Sequence, residues 1–496
     1  MSHLLGIDVG TSGVRCIAID HQGAVRAEAS VEHPSSSPRP GWSEQRPEDW
    51  WEGARRAIAG VASNVGGDIV GLGLTGQMHG AVFLDQADHV IRPALLWNDQ
   101  RTAAQCEAIT ERVGAHRLIE IAGNPALTGF QAPKILWLRD EEPKSYARLH
   151  SVLLPKDYLR LRLTGDKATD ASDASGTLLL DLKERGWSRE IVNALEVPIE
   201  WLPRVHEAPA ATGQVRADVA SDLGLPAGVV VAAGGGDNAA AAVGNGVVRD
   251  GLVSCSIGTS GVLFAHSDVL SLDLSGRLHA FCHAVPERYH LMGVTLAAGA
   301  SLRWWGEVVG KPDYDELSEL ASHAPPGAEG LVFLPYLTGE RTPHMDPHAR
   351  GAFVGLTSRH GLGHLTRAVM EGVAFSLRDS LEITIGLGIK PNQIRATGGG
   401  ARSAFWRQVL ADVMSCPIVR TQADEGPAYG AALLAGVAAG VYPDVAEATA
   451  QISLRHEVCE PNPSTARRYQ DYYAAYRDLY PATRSTMHSL SDLARG

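Results

Sequence analysis

The chain of 496 residues is too long for one ordinary hydrophobic core, so two domains are expected. Apolar residues make up 45% of it and charged residues 20%, a balance typical of a folded globular protein, which excludes an intrinsically disordered chain. The formal net charge of −12 argues against a nucleic-acid partner, because binding of backbone phosphates requires a basic surface.

The N-terminal residues Met1-Ser2-His3-Leu4-Leu5 lead directly into a predicted buried strand. They lack the basic stretch and the long apolar core of a secretory signal. The six cysteines of the chain show no CxxC spacing, which favours free thiols in a reducing compartment. We therefore expect a cytoplasmic protein without a membrane partner.

The first predicted element is a β-hairpin over residues 4–20, LLGIDVGTSGVRCIAID. A Gly/Thr/Ser turn of this kind presents successive backbone N–H groups to an anion, and the hydroxyls of Thr11 and Ser12 add donors. Asp8 stands just before the turn, where its carboxylate would repel a phosphate directly. The pattern therefore predicts that Asp8 lies near a Mg²⁺ ion that accompanies the phosphate.

Residues 71–76, GLGLTG, match the GxGxxG pattern of dinucleotide-binding proteins. The residues that follow, QMHGAVFLD, predict a strand and not the helix that such a site requires. A GxxxxGK[ST] phosphate loop is also absent from the sequence. Nucleotide phosphates are therefore expected to bind at Gly/Thr/Ser hairpin turns.

Residues 229–246, VVVAAGGGDNAAAAVGNG, predict a buried strand, a glycine run and an Ala-rich helix that opens at Asp237-Asn238. Asp237 could serve only as a helix cap. Its place between three glycines and the junction of the halves favours a second role. A carboxylate there would accept the proton of a substrate hydroxyl during phosphoryl transfer.

A second hairpin over residues 251–266, GLVSCSIGTSGVLFAH, repeats the GTSGV segment of the first. Thr259 matches Thr11, half a chain away, and Ser256 stands where the first copy has Asp8. The repeat predicts a duplicated domain whose two lobes face each other across a cleft. Only one side of that cleft would carry the acid.

Two later segments complete the pattern. Residues 394–402, IRATGGGAR, predict a strand and a glycine run without an acid, which suits a flat adenine or ribose. Residues 427–443, PAYGAALLAGVAAGVYP, are rich in Ala and Gly and slightly short for a membrane span, so an interior helix is predicted. The tyrosine-rich segment after Tyr442 indicates packing only.

Taken together, these motifs resemble the FGGY family of carbohydrate kinases from Gly6 to about Ala439. GFQAPKILWLRDEEP resembles one family signature, although Gln131 stands where a small hydroxyl residue or Pro is usual. GAFVGL followed by HLTRAVME fits the second signature. GGGDN, GTSG, GGGARS and EGPAYGAALLA also occur in the expected order, and this combination is specific to the family.

The resemblance implies an α/β, actin-like ATPase fold with two duplicated ribonuclease-H-like domains around a central cleft. Residues 1–245 would bind the sugar and carry catalysis, and residues 246–496 would bind the nucleotide. It implies ATP and Mg²⁺ as cofactors, Asp237 as the catalytic base and Asp8 as the metal-side acid. Homodimers are common in such families. The residues that it places around the nucleotide are Thr11, Ser12, Arg15, Gly258, Thr259, Ser260, Gly299, Gly399, Gly400 and Ser403.

QMHG and LWNDQR resemble the family's forms that act on D-xylulose, so ATP-dependent formation of D-xylulose 5-phosphate is expected. The resemblance implies that Met78 packs on the sugar carbons and that His79 hydrogen-bonds a hydroxyl. Further candidates are Asn98, Asp99 and Asn238. Met78 could instead be a core residue, and Arg101 either reaches the sugar or pairs with Asp99.

Three other functions stay open at this point. One is a family member that acts on another substrate, such as ribulose, gluconate or a glycerol-like polyol. Another is a non-catalytic, nucleotide-dependent sugar sensor, which retention of both Asp8 and Asp237 disfavours. The third is an actin- or chaperone-like ATPase, which the sugar-side segments disfavour.

Overall fold

The computed structural model describes residues 2–65, 68–311, 313–421, 426–450, 452 and 454–494. We call residues 2–245 the first half and residues 246–494 the second half. The strands of the first half are β1 (His3–Val9), β2 (Gly13–Asp20), β3 (Val25–Glu32), β4 (Glu44–Gln45), β5 (Ile69–Gly76), β6 (Val82–Leu84), β7 (Ala94–Leu95), β8 (Ser151–Leu153), β9 (Ala168–Asp170), β10 (Leu180–Asp181), β11 (Gly186–Trp187), β12 (Arg204–His206), β13 (Ala211–Gln214), β14 (Val230–Ala232) and β15 (Gly235–Gly236).

The helices of the first half are α1 (Pro47–Val65), α2 (Ala103–Val113), α3 (Ala115–Ala122), α4 (Gln131–Glu141), α5 (Pro143–Tyr146), α6 (Pro155–Thr164), α7 (Ala171–Ala174), α8 (Arg189–Leu195), α9 (Ala217–Leu223) and α10 (Asp237–Gly244). Short 3-10 helices cover Ser175–Thr177 and Ile199–Trp201.

The strands of the second half are β16 (Leu252–Ile257), β17 (Gly261–Ser267), β18 (His279–Cys282), β19 (Tyr289–Thr295), β20 (Val332–Leu334), β21 (Ala352–Val354), β22 (Gln393–Thr397), β23 (Ile418–Thr421) and β24 (Leu454–Cys459). Its helices are α11 (Gly299–Val308), α12 (Tyr314–His323), α13 (Leu362–Gly386), α14 (Ala404–Met414), α15 (Gly426–Ala438), α16 (Val445–Thr449) and α17 (Pro463–Leu493), with 3-10 helices at Ala328–Gly330 and Gly399–Arg402.

Each half is built on one large sheet with the same central order. The first sheet runs β13-β14-β5-β1-β2-β3, and the second runs β18-β19-β17-β16-β22-β23-β24. In both, three parallel strands are followed by an antiparallel hairpin partner, β2 beside β1 and β17 beside β16. The predicted duplication and the actin-like α/β fold are therefore confirmed.

The register identifies equivalent positions in the two sheets. Asp8 of β1 lies opposite Thr75 of β5, and Ser256 of β16 lies opposite Thr397 of β22. The glycine run of residues 398–400 therefore corresponds to the segment after β5, which reads QMHG. The run of residues 234–236 follows β14, whose counterpart is β23. The two glycine runs look alike in sequence but occupy different places in the fold.

Helices α10 and α15 cross between the two sheets at backbone contact distance. A Cβ added to Gly430 would lie 1.8 Å from the carbonyl oxygen of Ala240. A Cβ added to Gly6 of β1 would likewise lie 1.8 Å from the carbonyl oxygen of Ala428, so α15 packs on the first sheet. The predicted interior helix is confirmed, and Glu425 of the EGPAYGAALLA segment lies outside the described residues.

None of the described helices has the length and apolarity that crossing a bilayer requires. Two tyrosines of α17 are buried against α13. The hydroxyl of Tyr469 donates to Glu371 at 2.6 Å, and that of Tyr473 donates to Asp379 at 2.6 Å. The C-terminal segment therefore packs into the core of the second half, as its sequence predicted.

Candidate active site

The candidate site of the first half lies at the carboxyl ends of adjacent parallel strands. Asp8 is near the end of β1, and β5 leads directly into Gln77, Met78 and His79. On the other side of β5, β15 pairs Gly236 with Gly76, and Asp237 follows at once. Ligands bind at this edge in open α/β sheets, because the strand ends and the following loops converge there.

Asp237 is the first residue of α10, while Gly236 occupies the cap position. Its Oδ1 accepts hydrogen bonds from the backbone and side-chain nitrogens of Asn238, at 2.7 and 3.0 Å. Burial raises the pKa of the Asp237 carboxyl to about 6, and the Asn238 hydrogen bonds oppose this shift. Asp237 and Asn238 line a cavity of about 360 Å³, which we call the smaller cavity.

A buried polar network holds the backbone of Gly236, the residue before Asp237. The Gly236 N–H donates to the hydroxyl of Ser172 at 3.2 Å, and that hydroxyl donates to Asp170. Asp170 in turn pairs with the Lys156 ammonium at 2.9 Å. Since Ser172, Asp170 and Lys156 are all fully buried, the network fixes where Asp237 stands.

Asp8 carries a buried carboxylate oxygen, Oδ1, that has no hydrogen-bond partner among the described residues. Burial and, to a smaller extent, the charge of Asp237 raise the pKa of Asp8 to about 7, and Arg15 opposes this shift. Arg15 lies opposite Asp8 in the hairpin, but its guanidinium is paired with Glu28 at 2.5 Å. Two neighbouring carboxylates provide oxygen donors that fit Mg²⁺.

No group of three or more metal-ligating side chains is preformed within the described ranges. Mg²⁺ usually keeps several waters and takes one or two carboxylates plus phosphate oxygens, and Asp8 is a carboxylate beside the first Gly/Thr/Ser turn.

The first Gly/Thr/Ser turn is tied to the QMHG segment and to the LWNDQR segment. The Thr11 hydroxyl donates to Gln77 Oε1 at 3.3 Å and accepts from the indole N–H of Trp97 at 3.1 Å. Gln45 Nε2 donates to the Thr11 carbonyl at 2.6 Å. Ser12 is exposed at the tip of the turn. The segments predicted to face the phosphates and the sugar thus share one hydrogen-bond network.

The His79 imidazole is held with one nitrogen free. Its Nδ1 lies 2.6 Å from the Gly176 carbonyl oxygen, so Nδ1 must carry the hydrogen. Burial lowers the pKa of His79 to about 3, which keeps the ring neutral. Nε2 has no partner among the described residues and is then a hydrogen-bond acceptor. Phe130 packs edge-to-face on the ring, with centroids 4.7 Å apart.

Met78 is 3% exposed and wedged between two glycines. A Cβ on Gly176 would lie 2.9 Å from Met78 Cε, and one on Gly236 would lie 3.0 Å from Met78 Cγ. The side chain therefore sits directly beside the backbone that precedes Asp237. A larger residue at position 236 would press on Met78, and one at position 176 would also press on the His79 ring, whose Nδ1 would lie 2.7 Å from the added Cβ.

The first signature segment supports the same loop. The Lys134 ammonium donates to the carbonyl oxygens of His79 at 2.8 Å and Gly129 at 2.6 Å. Gln131, the departure from the signature, donates through Nε2 to the Gly80 carbonyl at 2.8 Å. The substituted residue therefore contributes to holding the QMHG segment.

The remaining sugar-side candidates differ in their surroundings. Asp99 is fully buried, and its carboxylate accepts from the Ser43 N–H at 2.7 Å and from the Arg101 guanidinium at 2.7 Å. Contact between Asp99 and a sugar would require this pairing to open. Of the two roles expected for Arg101, the structure shows the pairing with Asp99. Asn98 is exposed beside it.

The second half presents a cavity of about 630 Å³, which we call the larger cavity, at the carboxyl ends of β16 and β22. Six of the residues predicted to surround the nucleotide line this cavity: Gly258, Thr259, Gly299, Gly399, Gly400 and Ser403. Gly299 lies against the second turn, where an added Cβ would be 2.5 Å from the Gly258 carbonyl oxygen. The Ser403 hydroxyl caps α14 by accepting from the Trp406 N–H. Ser260 lies in the turn between β16 and β17.

Four further residues at these sites were not assigned from the sequence. Arg303, Tyr314 and Arg402 line the larger cavity, and Trp97 lies exposed beside Thr11. Arg402 comes shortly after the glycine run and Trp97 belongs to LWNDQR, so sequence motifs mark both positions. Arg303 and Tyr314 lie on helices α11 and α12, and no motif marked them.

Comparison with known proteins identifies the family. Residues 3–244 match the N-terminal domain of the FGGY family of carbohydrate kinases, and residues 253–439 match its C-terminal domain. A xylulose kinase of Escherichia coli (strain K12) is 44% identical over 96% of this chain and 98% of its own length. A xylulose kinase of Lactococcus lactis is 41% identical over 99% of both chains. A crystal structure of a "xyloylose kinase" from Brucella ovis superposes with a TM-score of 0.93, at 40% identity, over 98% of this chain and 100% of that one.

Proposed function

We propose that this chain, which belongs to the FGGY family of carbohydrate kinases, transfers the γ-phosphoryl group of ATP to the terminal hydroxyl of D-xylulose. The products would be D-xylulose 5-phosphate and ADP. The full-length similarity to xylulose kinases at 44% and 41% identity supports the choice of sugar. The geometric observation that carries the proposal is Asp237, whose carboxyl has a pKa of about 6 and lines a cavity.

Asp237 acts as the general base. Because its pKa of about 6 lies just below neutral pH, the carboxylate is ionised at pH 7 and still basic enough to accept a proton efficiently. It takes the hydrogen of the sugar hydroxyl as that oxygen forms a bond to the γ-phosphorus. The bond between the γ-phosphorus and the bridging oxygen breaks, and the electron pair leaves with ADP.

The sugar binds against the QMHG segment. The neutral His79 accepts a hydrogen bond from a sugar hydroxyl through Nε2, because Nδ1 is already used by Gly176. Met78 gives the sugar carbons an apolar surface next to Asp237. Asn238 and Asn98 are further candidates for hydroxyl contacts. Asp99 contributes by holding Ser43 and Arg101 in place.

The nucleotide binds in the larger cavity and presents its phosphates to both Gly/Thr/Ser turns. Thr259, Gly258 and Ser260 contact it from the second half, and Thr11 and Ser12 from the first. Arg15 reaches the phosphates only if its exposed pair with Glu28 opens, and such pairs cost little to break.

Asp8 would hold Mg²⁺, directly or through water, and the ion would neutralise charge on the phosphates when bound. We also propose that residues 1–245 form the sugar-binding and catalytic domain and residues 246–496 the nucleotide-binding domain. Placement in the cytoplasm is supported by the absence of any disulfide among the six cysteines, all of which are described and free.

The test is ADP formation with MgATP across D-xylulose, D-ribulose, L-ribulose, L-xylulose, glycerol and gluconate. We expect a strong preference for D-xylulose in the wild type. In Asp237→Asn we expect kcat to fall by about 10²–10⁴, the range for loss of a general base. The exposed Asp471→Asn serves as the matched control and should leave kcat unchanged.

A preference for another sugar would overturn the D-xylulose assignment and keep Asp237 as the base. Full activity of Asp237→Asn would overturn the role of Asp237. ATP turnover with no sugar dependence at all would contradict the proposed transfer to a sugar.

A further inference from the structure

The larger and smaller cavities meet at one short stretch of chain. The larger one is lined by the second turn, α11, α12 and the start of α14, and the smaller one by Asp237 and Asn238. Among the described residues, those that line both are Gly399 and Arg402. Gly399 offers no side chain, so within this part of the chain Arg402 is the one shared side chain. A ligand that extends from the first cavity to Asp237 has to pass it.

We propose that Arg402 binds the phosphate chain of the nucleotide between the nucleoside in the larger cavity and the reacting phosphorus beside Asp237. This inference rests on the proposed use of ATP. It adds a specific phosphate-binding residue to the second half, where the sequence predicted only the Thr259-Ser260 turn as a phosphate-binding element.

Charge at the junction supports the assignment. Among the described residues that line the smaller cavity, Arg402 is the cation and Asp237 the acid. The nearby Asp8 adds a second negative group on the side of the first half. A polyphosphate that approaches two carboxylates in a chain of net charge −12 needs a compensating cation. Arg402 supplies it from the nucleotide side.

The Arg402 guanidinium is free to take a ligand. Within the described part of the chain it makes no ion pair and no hydrogen bond, and the residue is exposed. The neighbouring Arg407 differs, because its guanidinium is paired with Glu457 at 2.6 Å and donates to the Ala401 carbonyl at 2.7 Å. One arginine is structural and the other is available.

The backbone fixes where the free side chain starts. Arg402 ends the 3-10 turn Gly399–Arg402, which follows Gly398 at φ 81°. Arg407 Nη1 donates to the carbonyl oxygen of Arg402 at 3.0 Å, which anchors the end of this turn. A guanidinium on a fixed backbone can bind phosphate oxygens in a bidentate manner, which a lysine ammonium cannot.

The test measures binding of ADP and of adenosine separately, by competition against a fluorescent ADP analogue in the presence of Mg²⁺. No sugar is added, so the result does not depend on the D-xylulose assignment. In Arg402→Gln we expect ADP to bind roughly 10- to 100-fold more weakly, the loss typical of a charge-assisted contact. Adenosine should bind as in the wild type, and Arg402→Lys should be intermediate.

Arg303→Gln is the control, because Arg303 lines the larger cavity alone. It should shift ADP and adenosine by the same factor. Unchanged ADP affinity in Arg402→Gln would overturn the proposal, and so would an equal loss for ADP and adenosine, which would place Arg402 at the nucleoside. Unchanged melting temperatures would show that each variant is folded.

Discussion

The carboxyl ends of β5 and β22 occupy equivalent places in the two duplicated sheets, and their contents are opposite. β5 is followed by side chains, with Met78 packed against glycines and His79 held by Gly176. β22 is followed by glycine backbone, and no atom of the described residues lies within 4 Å of a Cβ added to Gly399. We propose that the end of β5 takes a small polar ligand and the end of β22 a large flat one. Duplication thus gave the two halves the same sheet, and the residues that follow one strand in each half make the two ends different.

The same contrast holds at the start of the two crossing helices and in the two turns. α10 opens with Asp237, and α15 opens with Gly426. Asp8 precedes the first turn, and Ser256 precedes the second. Both carboxylates of the proposed reaction therefore belong to the first half. A symmetric fold has produced an asymmetric site, which suits a reaction between two unlike substrates.

Asp8→Ser would make the first turn match the second. Among the variants that alter the contrast between the two halves, we expect this one to lose the most activity. Removal of one preorganised charged group from a phosphoryl-transfer site should lower kcat by about 10²–10³. The Mg²⁺ concentration for half-maximal activity should rise as well. Steady-state ADP formation over a Mg²⁺ titration measures both.

Ser256→Asn is the matched control in the second turn and should leave the Mg²⁺ requirement unchanged. The folded-state pKa of Asp8, about 7, lies above its ordinary value of 3.8, so its ionisation opposes folding at high pH. Asp8→Ser should therefore unfold at a higher temperature than the wild type at pH 8. A loss of both stability and activity would contradict a functional role for this buried carboxylate.

Gly430→Ala tests whether the two halves depend on the α10–α15 crossing. The new Cβ would lie 1.8 Å from the Ala240 carbonyl oxygen, and neither backbone can move freely. We expect the free energy of unfolding to fall by about 3 kcal/mol, at the upper end for overpacking. Thermal or urea unfolding measures the change.

Gly386→Ala at the end of α13 is the matched control. Nothing lies within 4 Å of its added Cβ, so the substitution should be neutral or should stabilise by up to about 1 kcal/mol. Equal effects of the two substitutions would show that the close crossing is not needed.

The pH dependence separates the two carboxylates. Asp237 and Asp8 have raised pKa values of about 6 and about 7, so both gain protons as the pH falls from 8 to 5. We expect kcat/KM to decline below about pH 7 in the wild type, because the base and its neighbour become neutral. Because the two carboxyls interact, the pKa values seen in this pH profile belong to the pair and not to either residue alone.

Asp8→Ser should leave a single decline at or below pH 6, because removal of a neighbouring negative charge lowers the pKa of Asp237. A profile that still declines near pH 7 in this variant would assign the upper pKa to a different group.

Much of this contrast was accessible from the sequence. The GTSGV repeat predicted the duplicated hairpins, and Ser256 in place of Asp8 predicted the asymmetry. The apolar and Gly-rich content of residues 427–443 predicted an interior helix. These inferences succeeded because they depend on local residue patterns, which strands and turns follow closely.

The rest depended on contacts between distant segments. The two glycine runs looked equivalent, yet one follows β14 and the other β22, because strand order in a sheet is not written in local sequence. The hydrogen bond from the Ser43 N–H to the Asp99 carboxylate comes from a loop 56 residues away. Arg402 was visible after its glycines, but the meeting of two cavities and the pairing of Arg407 with Glu457 are what distinguish it from Arg407.

The most direct test of the division between the halves is a pair of Michaelis constants measured on two variants. His79→Gln removes the ring that we propose accepts a hydrogen bond from the sugar, and Gly399→Val fills the open end of β22, where an added Cβ meets no described atom within 4 Å. The account predicts that His79→Gln raises KM for D-xylulose about tenfold, the value of one buried hydrogen bond, and leaves KM for ATP unchanged. Gly399→Val should do the reverse. A rise in both constants in both variants would contradict the assignment of one substrate to each half.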